Sequence, residues 1–447
     1  MPARPVKSTL DPYGIYGTRT ANRLRASRRR RSSQKFLILL GFLCLLAVGL
    51  LYYRWRQDAI RHAAVTYETA VQVNALPVLA TWPRDKENAL LIAGRNGQLV
   101  RFDLGQSTTP KRVLWRSDFP LHTPQVFEDK VFVPGEDGVL AALSWRSGKL
   151  LWRIRFDSPL SAQPVAFRIS QSAGQLRPIV VAASDSGLMM AVEIASGRLL
   201  WRVRLPAPIG NGLSVVESNG RARVMVPLLG DNAMRGGVWC LNGANGQILW
   251  RFPADARQES VQFASPVPDL AANRVFFAND SGAIFALNLT TGKYNPKQAT
   301  GWKTILHSQG RGEPEDIVVR ATPLLISHAS ARIDDTTRVN TNSALLIGGS
   351  DGVVRYLSTR DGIIRWQFAS GHPILSLSQI SFADRQEFVL VLNRSSVFFL
   401  LNARNGEVVW RFASSDGNFT GAVVHDQQIV AVTESGSVHR FDLSQLN

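Results

Sequence analysis

The stretch EDGVLAALSWRSGKLLWRIRF, Glu136 to Phe156, decides the fold, because its closing ten residues, SGKLLWRIRF, return 49 positions later as SGRLLWRVRL. A reacting group is needed once, so duplication on this scale points to architecture before chemistry. The longer unit opens with a tight turn, runs through a short apolar strand, turns again at Gly and ends in a strand carrying Trp. Further copies are SDSGLMMAVEIASGRLLWRVRL (184–205), RGGVWCLNGANGQILWRFPA (235–254), NDSGAIFALNLTTGKY (279–294), SDGVVRYLSTRDGIIRWQFAS (350–370) and RSSVFFLLNARNGEVVWRFAS (394–414). Degenerate copies stand at both ends, RNGQLVRFDL (95–104) and ESGSVHRFDL (434–443).

Spacing inside the unit is tight. Gly138 and Gly148, Gly187 and Gly197, Gly236 and Gly246, Gly282 and Gly292, and Gly352 and Gly362 are each ten apart, and Ser396 and Gly406 keep the interval with serine in the first slot. Asp-Gly, Asn-Gly and Ser-Gly turns need φ > 0, which glycine reaches without penalty. Runs such as VLAALS and AIFALN are too short for helices and read as strands between those turns. Another strand pair precedes each unit, for example SAQPVAF and PIVVAAS before residue 184. Four short antiparallel strands in about 45 residues describe a β-propeller blade.

Eight turn slots are present: Gly97, Gly138, Gly187, Gly236, Gly282, Gly352, Ser396 and Gly436. Seven tryptophans close the fourth strands: Trp115, Trp152, Trp201, Trp250, Trp302, Trp366 and Trp410. The last unit stops at Asn447 before its fourth strand, and the segment VTYETAVQVNA, near 65–75, is expected to supply it. Pairing the two chain ends would leave no open edge there. The expectation is an all-β chain with an eight-bladed propeller over residues 78–447, seven blades being the alternative, and residues 54–77 holding a linker and the closing strand.

The pattern DGxLxALxxxxGxxxWR resembles the repeat of PQQ-type (quinoprotein-like) β-propellers, in which the Trp docks between neighbouring blades. Among these the chain is most similar to the propeller lipoprotein subunit of the outer-membrane β-barrel assembly machinery. That resemblance implies a non-enzymatic scaffold whose partners are envelope proteins, such as outer-membrane assembly components. The same repeat also builds quinone-cofactor dehydrogenases, which carry an adjacent Cys-Cys disulfide and calcium ligands. Here the two cysteines are Cys44 and Cys240, with no Cys-Cys pair and no Asp/Glu/Asn set at hard-cation spacing. No cofactor, metal, nucleic acid or small-molecule substrate is therefore expected. A PQQ-dependent dehydrogenase and an extracytoplasmic ligand sensor stay as alternatives.

Charge and hydropathy address the N-terminus. Of the net +17, residues 1–35 carry ten Lys and Arg against one acid, Asp11. Directly after them comes FLILLGFLCLLAVGLLYY, 36–53, without a charge. At 1.5 Å per residue it would span about 27 Å, one hydrocarbon core. Bulky Leu-Leu-Tyr-Tyr-Arg-Trp follows instead of a small-residue cleavage site, which reads as an uncleaved signal anchor. The positive-inside rule then expects the basic tail in the cytoplasm and the propeller on the periplasmic side of the inner membrane. The lipidated cysteine of the resembling lipoprotein has no counterpart in this reading.

Candidate sites are few. GGSDG, Gly348 to Gly352, matches G-x-S-x-G but fills a hairpin slot, so Ser350 reads as a turn residue. Arg116, Arg153, Arg202, Arg251 and Arg411, with Lys303, each follow a repeat Trp. Read functionally they form a basic ring for an acidic partner; strand alternation alone makes them outer-strand cations paired with acids or water. The repeat breaks between 294 and 343, and long loops on a rigid scaffold are where binding usually sits. Trp302, Arg311, Glu313, Glu315 and Asp316 in that insertion are the candidate partner contacts, with GDNAMRGG, 230–237, a smaller site of the same kind.

Overall fold

The computed structural model describes residues 41–49, 60–62 and most of 65–443, leaving out 82–87, 106–110, 171–174, 231–235, 254–263, 294–300, 308–316, 328–342, 382–386 and a few shorter breaks. The chain divides into two compact units, Met1–Ile60 and Arg61–Asn447. In the first, residues 41–49 of the apolar run are α-helical with exposed side chains. Among the described residues no helix is long and apolar enough to cross a membrane, and the rest of the expected span lies outside them.

The second unit is a ring of eight sheets built on one four-strand plan, the blade 7 sheet carrying a fifth strand, Ile60–His62, at its edge beside Val408–Ala413. Blade 1 runs from Val78–Thr81 to Lys111–Arg116, blade 2 from Gln125–Phe127 to Leu150–Arg155, and blade 3 from Val165–Ser170 to Leu199–Arg204. Blade 4 spans Ser214–Ser218 to Ile248–Phe252, blade 5 Val267–Asp269 to Trp302–Ile305, and blade 6 Leu324–Ser327 to Ile364–Ala369. Blade 7 spans Ile374–Ser381 to Val408–Ala413. Blade 8 takes three strands from the C-terminus, Phe419–His425, Gln428–Thr433 and Ser437–Asp442, and its fourth, Val65–Glu68, from the other end of the chain. The closing register sets Val65 opposite Arg440 and Glu68 opposite Ser437. Eight blades, not seven, complete the ring.

Middle strands such as Asn88–Ala93 and Glu387–Asn393 are buried on both faces, because each sheet is covered by a neighbour on either side. The core is accordingly eight apolar slabs, one at each seam between consecutive blades.

One contact repeats across the seams. The indole Nε1 of Trp152 donates to the Ile194 carbonyl of the next blade at 3.0 Å, and Trp201 does the same to Gly243 at 2.9 Å. Trp250 reaches Leu289 at 2.9 Å, Trp302 reaches Thr359 at 2.8 Å and Trp366 reaches Ala403 at 3.2 Å. Each acceptor stands three residues before the second turn glycine of the receiving blade, and the indole lies on that glycine. A Cβ added at Gly197, Gly246, Gly292, Gly362 or Gly406 would meet the ring at 2.5–2.8 Å. These glycines also hold φ between +65° and +74°. Register explains the aim: a one-residue irregularity precedes the Trp in blades 2, 3, 4, 6 and 7 and turns the indole inward.

Trp115 departs from the expected role. The docking position lies opposite the fourth residue after the first turn glycine, as Trp152 lies opposite Ala142. In blade 1 that position faces Arg101 and is Arg112, while Trp115 faces Leu99, because the irregularity falls further along the strand. Arginines serve this seam instead. Arg101 stacks its guanidinium 4.5 Å from the Trp145 ring centroid and donates to the Trp145 carbonyl at 3.4 Å, the counterpart of the usual acceptor. Arg112 donates to the Arg146 and Ser147 carbonyls at 3.0 and 3.1 Å. At the other side of blade 1, Arg440 stands over Tyr67 and Phe102 at 5.5 and 5.4 Å.

Gly197→Ala places a methyl 2.7 Å from Cγ of Trp152 at φ +73°, and is expected to destabilise the ring by about 2 kcal/mol or more. Trp152→Phe, which keeps a ring but loses the 3.0 Å bond, should cost about 1 kcal/mol. Urea denaturation of both variants beside the parent checks the order.

Candidate functional site

Four antiparallel strands per blade dictate which loops share an end. Blade-to-blade connectors and second-to-third-strand turns gather on one face, here the connector face; the remaining hairpins gather on the other. On the connector face, polar side chains clasp several turns to the preceding blade. Asp157, just beyond blade 2, accepts from Arg204, from Ser186 Oγ at 2.8 Å and from Ser184 Oγ at 3.0 Å in blade 3. The Arg204 bond first, then Ser186, hold the Asp157 carboxyl down to about 2. Asn393 of blade 7 donates to the Ser370 carbonyl at 3.2 Å. At the seam of blades 7 and 8, Asp416 lies 2.8 Å from Nε2 of buried His439 and also accepts from Ser414. Burial opposes ionisation of Asp416, but donation from Ser414, Ser437 and His439 outweighs it and keeps the carboxyl below its ordinary value.

Where blades 7, 8 and 1 meet on this face, a cavity of about 620 Å³ opens. Three turns rim it: Arg95 comes from blade 1, Arg394 from blade 7 and Glu434 from blade 8. Backbone bonds fix all three, Arg95 N to Gln72 O at 2.9 Å, Arg394 N to Pro373 O at 2.9 Å and Glu434 N to Asn418 O at 3.0 Å. Their side chains are exposed. Phe419 and Val73, both buried, form an apolar floor, and Leu76, 47% exposed, stands at the edge. Two cations and an anion on rigid turns above an apolar floor suit a polar, extended segment of another molecule.

The sequence-expected contacts fall differently. Trp302 is 8% exposed and committed to the seam with blade 6, so it is not a surface contact as expected. The insertion precedes the strand, whose register with Ala286 is that of every docking Trp. Arg311, Glu313, Glu315 and Asp316 lie outside the described residues, as does most of 230–237. Ser350 sits in its turn, its hydroxyl accepting from Val318 N at 3.0 Å. The sequence does not set Arg95 beside Arg394 and Glu434, because its turn slot belongs to blade 1, which only ring closure brings next to blade 8.

Cys44 and Cys240 are both free, and burial pushes the Cys240 thiol up to about 12. Among the described residues no three His, Cys, Asp or Glu side chains gather as metal ligands.

The family described as outer membrane protein assembly factor BamB matches residues 108–176, 169–303 and 350–446. The chain belongs to this family. BamB from Moraxella catarrhalis shares its fold with a TM-score of 0.56 at 15% identity, over 85% of this chain and 99% of that one. Sqt1 of Saccharomyces cerevisiae superposes with a TM-score of 0.64 at 10% identity, over 85% and 98%. The computationally designed Ika8 protein gives 0.58 at 15% identity, also over 85% and 98%. At such identities the likeness speaks for the fold. No curated protein matches the sequence.

The Asp157 clasp carries a pH signature. Its folded-state value lies below the ordinary 3.8, so its contribution is present above pH 3.8 and is lost as pH falls toward 2. Arg204→Gln should lower stability at neutral pH and flatten this acid limb, read as a smaller fall in Tm between pH 4 and pH 2.

Proposed function

We propose that this chain is a non-enzymatic scaffold, anchored in the inner membrane by residues 36–53 with its ring on the periplasmic side, which docks envelope proteins in support of outer-membrane protein assembly. The connector-face cavity carries this reading: exposed Arg95, Arg394 and Glu434 stand on turns fixed by backbone bonds, above an apolar floor. Rigid presentation lowers the ordering cost of association, which is what a docking surface needs. Family membership supports protein binding, and the basic tail before an apolar run supports the anchor and its orientation. Crossing one membrane with a helix, the chain would hold its partner site at the bilayer without being part of the outer membrane.

A photo-crosslinking residue at Leu76 in intact cells is expected to capture an envelope protein. Arg95→Glu with Arg394→Glu should abolish that adduct while leaving the thermal melt unchanged. An absent adduct, or one indifferent to both substitutions, sinks the proposal.

A further inference from the structure

The outer strands hold a pattern that neither the seams nor the cavity uses. On blades 2, 3 and 4 the residue after the docking Trp is Arg153, Arg202 and Arg251, and all three are exposed. The ion pairs made from these strands belong to Arg155 and Arg204, and none of the three has an acidic partner among the described residues. Beside them stand Leu151, Leu199 and Leu249, 44%, 41% and 43% exposed. Single exposed leucines are ordinary; a leucine beside an unpaired arginine on three successive blades is a strip of one chemistry. Its origin is mechanical on blades 2 and 4. The irregularity that turns the indole inward leaves Leu151 and Leu249 out of register, facing away from the seam.

We infer that the outer rim across blades 2 to 4 is a contact surface for anionic lipid headgroups, with the guanidinium groups on phosphates and the leucines entering the interfacial layer. Charge complementarity selects an anionic partner, and the apolar neighbours select a bilayer interface over a soluble acidic one. A folded protein would require a shaped patch, whereas this strip repeats an exposed arginine at the blade interval with a leucine two or three residues before it, a looseness that a fluid surface tolerates. The inference does not rest on the anchor proposed above.

The test uses the full chain with Cys44→Ser and Leu199→Cys, labelled with an environment-sensitive dye; Cys240 is fully buried and stays unlabelled. In nanodiscs containing phosphatidylglycerol the dye should shift to the blue and be quenched by nitroxide lipids, and in phosphatidylcholine alone it should not. Arg153→Gln, Arg202→Gln and Arg251→Gln together, or high salt, should remove the shift; Arg202→Gln alone should weaken it if the triple variant folds poorly. Identical emission in the two lipids, or indifference to the substitutions, overturns the inference. A photo-crosslink from position 199 that reaches protein instead of lipid overturns it in favour of an acidic protein partner. Retention in discs after alkaline washing reads the anchor separately. Should retention fail, the same chain is sedimented with phosphatidylglycerol vesicles, where the triple variant should bind roughly 100-fold more weakly and absence of parent binding overturns the rim.

Discussion

Everything in the ring depends on an indole lying on a glycine. The contact imposes two conditions at once. The Nε1–H must find a carbonyl three residues before the glycine, and the glycine must have no side chain under the aromatic plane. Together they fix the distance between blades and their register at the five seams that carry the contact. A buried Trp is normally left with a polar group to satisfy; here its satisfaction is the joint between structural units.

Blade 1 is the exception on both sides. Its seams rely on arginine stems and cation–π stacking, from Arg101 on Trp145 and from Arg440 on Tyr67 and Phe102. Arginine tolerates this position because its apolar stem fills the seam while the guanidinium lies on aromatic faces, and that of Arg101 also finds a carbonyl. Among the described residues the indole–glycine joint is present at five seams, from blades 2–3 to blades 6–7, and the connector-face cavity lies beside seams that are joined in other ways. The blade that breaks the repeat is also the blade against which the chain closes.

Much of this was legible. The ten-residue glycine spacing announces the blades, and the shortage of a fourth strand after Asp442 announces a closing strand from the N-terminal side. Trp302 keeps its register despite the insertion before it, so the repeat survives where spacing alone was broken. Trp115 differs for the opposite reason: the letters keep the pattern while the irregularity moves, so that Trp115 packs against the same seam but beyond the docking slot. Arg101 and Arg440 read as ordinary strand residues, because a cation reveals itself as a seam element only when its aromatic partners on another blade are in place. The cavity was hidden likewise, since Arg95 and Glu434 are near neighbours only in the closed ring.

The closing strand also sets an order of events. Thr69 bonds to Gly436 across 367 residues of chain, and Val65–Glu68 has no ladder until Ser437–Asp442 has been made. Entropy alone does not forbid so long a closure, because its cost grows only logarithmically with length. Time is the heavier term. Throughout synthesis the first blade's seam and the waiting strand are unpaired edges, the kind of surface that recruits wrong partners. Making Ser437–Asp442 therefore does more than complete the eighth blade: it is what takes the strand Val65–Glu68 out of circulation.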